Sequence, residues 1–311
     1  MEFFMDPALR RLLSTSPSLF VLVSACLFFL VSVSVSVSAQ EKIELWPGFA
    51  PGETVREPNV EPNGDRATRV TTPFLLVYRP ETVTSDVCML ILPGGGYSTC
   101  FYFNEGIPNA RWWNTQGITA AVLVYRVPRP TGKPIYVSAW QDAQRAVRIL
   151  RSNAPNWGLD PEKIGVQGFS AGGHLALLTA LSSQTQAYEP LDELDSVPCH
   201  VNFALPVYPA YVLDDGAAGP NQRKGNDAEL APGLNFDARS CPMCLLHGDR
   251  DIYSPMGAVR IYAELRKKGI PCELHIFADA VHGFMFWNDA PNTQSWRARG
   301  LEWMKVMGYV P

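Results

Sequence analysis

Short apolar runs alternate with amphipathic stretches along most of this chain. Val70 to Arg79, Val87 to Leu92, Thr119 to Val124, Lys163 to Gly168, Val201 to Val207, Met243 to His247 and Glu273 to Phe277 read as strands. The nearly continuous apolar ones have the pattern of strands covered on both faces. Between them lie stretches of helical period at about Asn104 to Gln116, Ser138 to Asn153, the residues after Ser170, Met256 to Lys268 and Thr293 to Met307. In the second of these, Ala139, Ala143, Val147 and Leu150 form one apolar stripe. Repeated strand-helix-strand units predict an α/β fold with a mostly parallel central sheet and helices on both faces.

Two intervals break the alternation. Residues 40–66 are rich in Pro, Gly, Glu and Asn without a sustained period, and are expected to be an irregular entry segment. Pro209 to Ser240 reads as a long loop, either overhanging a site or lying on the surface. Neither a repeat nor a break in composition follows residue 66, which predicts one catalytic domain over 67–311. No long amphipathic segment between Lys42 and the first glycine cluster could form a lid, so no large lid domain is expected.

At the N-terminus, Arg10 and Arg11 precede an apolar, serine-rich run from Leu19 to Val37 that ends in Val37-Ser38-Ala39. This is the pattern of an export signal over residues 1–39 cleaved after Ala39, with an uncleaved anchor as the alternative. A secreted or periplasmic location follows, without stable membrane association once the signal is removed.

A hydrophobic content of 47% in 311 residues provides a large core and excludes disorder as the main state. The net charge of −4 is unchanged without residues 1–39, because Glu2 and Asp6 balance Arg10 and Arg11. No basic field is available for nucleic acid. Removal of the signal leaves Cys88, Cys100, Cys199, Cys241, Cys244 and Cys272, whose pairing spacing does not determine. Cys241-Pro242-Met243-Cys244 opens a strand with no second ligand pair, and reads as structural rather than as a metal or redox site. Composition says nothing of the oligomeric state.

The chemistry centres on Gly168-Phe169-Ser170-Ala171-Gly172-Gly173-His174, between an apolar strand and a helix. A serine at such a turn is held in a strained conformation by small neighbours, its hydroxyl above the sheet; the plainer reading is a helix cap. Of five histidines, His282 stands in a loop beyond the last strand, where a base can reach Ser170. His174 is too close in sequence to fold back on Ser170. The acid follows the strand ending at His247, where Asp251 is preferred and Asp249 held in reserve. Pro93-Gly94-Gly95-Gly96-Tyr97 offers the backbone N–H groups of three consecutive glycines to a developing oxyanion, with Ala171 as the second contributor. The absence of Gly-Lys-Ser/Thr argues against a phosphate loop. No metal or cofactor is required.

Strand-Gly-Gly-Gly-Tyr, Gly-Phe-Ser-Ala-Gly-Gly-His, His-Gly-Asp-Arg-Asp and His-Gly-Phe, in this order, resemble the α/β-hydrolases of the esterase/lipase branch. Within it, the chain resembles bacterial exported acetyl xylan esterase-like carbohydrate esterases from about Lys42 to Pro311. Trp46-Pro47-Gly48-Phe49-Ala50-Pro51-Gly52, Trp140-Gln141-Asp142-Ala143-Gln144-Arg145-Ala146 and Trp157-Gly158-Leu159-Asp160-Pro161 also look like that group. The resemblance implies a Ser170, Asp251, His282 triad with Gly95, Gly96 and Ala171 as oxyanion donors. One departure is Pro93, which stands where related esterases carry a histidine.

The expected substrate is an acylated carbohydrate. Trp112, Trp113, Trp287 and Trp296 are each more readily core than sugar platforms; Trp287, near His282, and Tyr97 are the substrate-binding candidates. A peptidase of the prolyl oligopeptidase type is disfavoured because the chain lacks a large accessory domain. A catalytically silent binding protein on the same fold is the reading from another class.

Overall fold

The structure is a computed structural model that describes residues 40–214, 228–286 and 291–311. The expected signal, Trp287 and the middle of the interval before Met243 lie outside the described residues. Among the described residues, no helix is long and apolar enough to cross a membrane.

Among the described residues, eight strands form one sheet: β1 Gln40–Glu44, β2 Phe74–Tyr78, β3 Cys88–Leu92, β4 Thr119–Val124, β5 Ile164–Phe169, β6 Phe203–Val207, β7 Met243–Gly248 and β8 Cys272–Phe277. Their order is β1-β2-β4-β3-β5-β6-β7-β8. Pairing is antiparallel for β1 with β2 and β2 with β4, and parallel from β4 onward. Strands β2 to β7 are buried at every position, as their continuous apolar runs require. The last, β8, is an edge strand and mostly half-buried.

Among the described residues, five α-helices accompany the sheet: α1 Ile107–Thr115, α2 Val137–Asn153, α3 Ala171–Leu181, α4 Met256–Lys267 and α5 Trp296–Val306. The stripe read from α2 is buried throughout, with Ala143, Val147 and Leu150 wholly enclosed. Every residue of α3 is buried, so its lack of amphipathicity reflects its place at the centre of the protein. A π-helical turn, Tyr102–Gly106, leads directly into α1.

The segment expected to be irregular opens instead with β1. Its register with β2 runs from Gln40↔Tyr78 to Glu44↔Phe74. Gln-Glu-Lys-Ile-Glu carries one large apolar residue, so it has no strand signal of its own; backbone pairing to β2 makes the strand, and exposed Lys42 and Glu44 keep its surface charged.

The motif residues Trp46 and Asp142 meet Arg126, which follows β4. Asp142 accepts from the Trp46 indole N–H at 2.9 Å, and from the Arg126 backbone N–H at 2.9 Å and its Nε at 3.0 Å. Arg126 also donates to the carbonyls of Pro51 and Ser138. A charge pair this deeply buried persists because almost every donor is matched.

Candidate active site

Ser170 occupies the turn between β5 and α3 with φ 55° and ψ −119°. A non-glycine residue in this region is strained, and the surroundings hold it there. Its N–H donates to Val207 O at 3.1 Å, and its carbonyl accepts from Ala210 and His174 N–H, each at 3.0 Å. The glycines on either side are steric necessities. A Cβ on Gly168 would lie 2.0 Å from Gly172 O, and one on Gly172 would lie 2.0 Å from Leu92 O. The Ser170 side chain makes no capping bond to the helix, which removes the plainer reading of this serine.

Parallel pairing of β5, β6, β7 and β8 brings the loops after these strands to one edge of the sheet. His282, in the loop after β8, has Nε2 at 2.7 Å from Ser170 Oγ. Its Nδ1 is 2.8 Å and 2.9 Å from the two carboxylate oxygens of Asp251, in the loop after β7. The two loops are joined: Asp249 N–H donates to Phe277 O and Arg250 N–H to Ala280 O, both at 2.9 Å.

Of the two carboxylates left open by sequence, Asp251 is buried at 2% exposure and meets the histidine, whereas Asp249 is exposed to solvent. Burial raises the pKa of Asp251, but hydrogen bonds from His247 and His282 outweigh it and leave the pKa below the usual value. The Tyr253 N–H also donates to Asp251 at 2.8 Å. His247 therefore belongs to the setting of the acid: its Nε2 lies 3.1 Å from Tyr253 O and 3.4 Å from Asp251.

The glycine loop after β3 runs against the serine, since a Cβ on Gly94 would stand 3.0 Å from Ser170 Cβ. Gly95 and Gly96 have φ +128° and +62°, and a Cβ on Gly95 would meet Thr99 O at 2.1 Å. Ala171 is the first residue of α3, ahead of the first bond that closes the helix, His174 N–H to Ser170 O. N–H groups at such a terminus are not used by the helix itself. Hydroxyl, imidazole, carboxylate and spare backbone donors thus share one strand edge, the arrangement that acyl transfer through a serine uses.

Tyr97 is a correction to the sequence expectation. It is 1% exposed, and its hydroxyl shares a 2.8 Å hydrogen bond with His174 Nδ1. With φ 58°, the chain turns its ring inward against Tyr125 and Tyr211, so it supports the glycine loop from behind instead of meeting substrate. Burial lowers the His174 pKa to about 3, so this imidazole is neutral and structural. Trp113 and Trp296 are core residues, as read; Trp113, on α1, donates to Gln167 of β5 at 3.0 Å. Tyr211, at the start of the long interval, borders Gly96.

Glu105 and Tyr208 were not legible in the sequence. Glu105, in the π-helical turn, is 3% exposed and accepts the Gly94 N–H at 2.5 Å and the Tyr208 O–H at 3.1 Å. The Tyr208 ring lies edge-on to His282, with centroids 5.2 Å apart. Nothing in Phe103-Asn104-Glu105 marks it beyond one carboxylate at the start of a helical stretch.

Among the described residues, Cys244, Glu273 and His275 are the one group whose donor atoms lie close enough to hold a metal, within 4.8 Å of one another on β7 and β8. They are on the strands themselves, apart from the loops that carry Ser170 and His282. All six cysteines of the described residues are free thiols.

The BD-FAE family profile matches residues 77–211, and the Dienelactone hydrolase family profile matches residues 201–309. An acetylxylan esterase of Xylanibacter ruminicola is 29% identical over 226 residues, covering 68% of this chain and 44% of that protein. Endo-1,4-beta-xylanase B of Butyrivibrio fibrisolvens is 28% identical over 225 residues, 70% of this chain and 35% of that protein. The chain thus spans less than half the length of these two relatives. Among solved structures, the acetyl ester-xyloside bifunctional hydrolase of Caldicellulosiruptor lactoaceticus superposes with a TM-score of 0.68 at 25% identity, covering 89% of this chain and 100% of that one. Esterase 2 of Thermogutta terrifontis, with propionate bound, gives 0.63 at 26% identity, covering 77% and 91%. The parallel sheet, the strained serine at its edge and these likenesses give the chain the α/β-hydrolase fold and a resemblance to esterases, acetyl xylan esterases among them.

Proposed function

We propose that the protein is a secreted serine esterase that removes short acyl groups, acetyl above all, from carbohydrate such as xylan. The observation that carries this reading is the unbroken hydrogen-bonded succession from Ser170 Oγ through His282 to Asp251. In the reaction, His282 Nε2 takes the hydroxyl proton as Ser170 Oγ adds to the ester carbonyl. The oxyanion is met by N–H groups of Gly95, Gly96 and Ala171. Collapse expels the sugar alcohol, which takes the proton from His282, and leaves acyl-Ser170. Water, deprotonated by the same imidazole, then releases the carboxylic acid and restores the serine. Asp251 holds the Nδ1–H tautomer and stabilises the imidazolium formed in each half.

The acetyl and carbohydrate specificity is supported by the named activities of the relatives, an acetylxylan esterase and an acetyl ester-xyloside hydrolase. Secretion rests on the apolar run before Ala39. Acetate release from acetylated xylan, measured for the chain and for Ser170→Ala, tests the reading. Release by the chain and none by the variant is the expected result. Cleavage of an aryl acetate without release from xylan would remove the carbohydrate assignment, and an inert chain would remove the esterase assignment.

A further inference from the structure

The Gly94 peptide is clamped from both sides. Its N–H donates to Glu105 Oε2 at 2.5 Å, while its carbonyl accepts from Phe101 N–H at 3.0 Å. One residue earlier, Pro93 has no N–H to donate, and its carbonyl accepts from Tyr125 O–H at 2.6 Å. The orientation of the next two peptides, those of Gly95 and Gly96, is inherited from this clamp. Glycines at positive φ have no side chain with which to hold themselves.

Glu105 is itself held more firmly than a helix-start residue needs. It lies in a π-helical turn, a rare conformation often retained at functional sites. Its backbone carbonyl accepts from Asn109 Nδ2 at 2.7 Å, and Asn109 Oδ1 accepts from Arg297 Nε at 2.9 Å. Gly106 lets the turn pack closely, for a Cβ there would lie 2.4 Å from Val122 Cγ1. Burial raises the Glu105 pKa to about 7, against the opposing pull of Gly94 N–H, Tyr208 O–H and His282. A buried carboxyl group is costly unless its oxygens are used, and here both are.

We infer that Glu105 is a positioning residue of the acyl-transfer site: one carboxylate oxygen sets the oxyanion loop through Gly94, and the other sets Tyr208 against His282. The inference rests on the esterase reading above. It makes Glu105 a bridge between the donors that receive the oxyanion and the wall behind the base, without contact with substrate. Its effect falls on the transition state, because a turned glycine peptide loses an oxyanion donor while leaving the acyl and sugar sites in place.

The test is steady-state hydrolysis of an aryl acetate by wild type, Ser170→Ala, Glu105→Ala and Glu105→Gln. The concentration of competent serine in each sample is counted by exhaustive fluorophosphonate labelling. Glu105→Ala is expected to lower kcat per labelled site by about 100-fold with KM within about threefold, the size of one lost oxyanion donor. Glu105→Gln, whose amide oxygen still accepts the Gly94 N–H, is expected to recover most of that loss. Affinity for a trifluoromethyl ketone, which forms a tetrahedral oxyanion on the serine, should fall in step with kcat. A purely structural role would reduce the labelled fraction and leave kcat per site unchanged, and that result overturns the inference. If Glu105→Ala does not fold, Tyr208→Phe, which removes only the second hydrogen bond, should still lower kcat per site severalfold, and wild-type turnover in it would overturn the inference. An inert wild-type chain would sink the esterase reading and the positioning role together. An active wild type matched by Glu105→Ala would sink the positioning role alone.

Discussion

The indole N–H of Trp46 donates to Oδ1 of Asp142 at 2.9 Å, tying the entry segment to the middle of α2. The same carboxylate holds Arg126, whose side chain is 2% exposed. Asp142→Ala would leave the Trp46 indole N–H, the Arg126 backbone N–H and Arg126 Nε without their acceptor, and the buried guanidinium without its nearest carboxylate. A loss of about 3–5 kcal/mol of unfolding free energy is expected, checked by urea titration. Trp46→Phe, which removes one donor and keeps the ring, should cost about 1 kcal/mol.

The choice between neighbouring carboxylates separates cleanly by kinetics. Asp251→Asn should reduce kcat about 10⁴-fold by presenting the wrong hydrogen-bonding group to His282. Asp249→Asn, at an exposed position, should leave kcat within about twofold. Equal losses in the two variants would refute the assignment of Asp251.

Gly172 faces backbone in place of a side chain that can move aside. A methyl group there would meet Leu92 O at 2.0 Å and Pro93 O at 2.4 Å. Gly172→Ala is therefore expected to displace α3 from the glycine loop and abolish turnover. Gly132→Ala, with nothing within 4 Å of the added Cβ but a φ of +70°, should cost only about 1 kcal/mol of stability and leave turnover intact. Turnover and urea midpoints of both variants check this.

Stability should depend on His174 in acid. Its folded pKa, about 3, lies below the ordinary 6.5, so the unfolded chain binds the extra proton between these values. Its contribution is fully present above pH 6.5 and is lost as pH falls toward 3, by about 1.4 kcal/mol per unit. Glu105 acts oppositely: with a folded pKa raised from 4.5 to about 7, its contribution is present below 4.5 and lost as pH rises through 7. The two slopes offset each other between 4.5 and 6.5. The difference between wild type and His174→Gln isolates the histidine, and a difference constant from pH 7 to 4 would contradict its burial as a neutral ring.

The thiols should be chemically quiet. Burial pushes Cys88 and Cys272 up to about 12 and raises the others as well. The native protein is expected to react with Ellman's reagent only on unfolding, and alkylation in denaturant without reductant should modify all six cysteines of residues 40–311.

Sequence by itself determined the parts that local physics controls. Strands β2 to β7 were legible because each is an apolar run that already encodes burial on both faces, and the edge strand β8 because its apolar residues alternate with polar ones. Ser170 was legible because its turn admits only small residues at Gly168 and Gly172, and His282 because a lone histidine stands in the loop after the last strand. Tertiary structure decided what depends on partners distant in the chain. β1 exists through pairing with β2, since its own residues carry no strand pattern. Asp251 and Asp249 differ by which one the loop turns inward. Tyr97 left its expected place at the substrate because His174 and the neighbouring tyrosines offered its hydroxyl and ring a buried setting. Glu105 gains its importance from Gly94 and Tyr208, which follow two different strands, β3 and β6. Hydrogen-bond partners and burial are relations in space, and no window along the chain contains them.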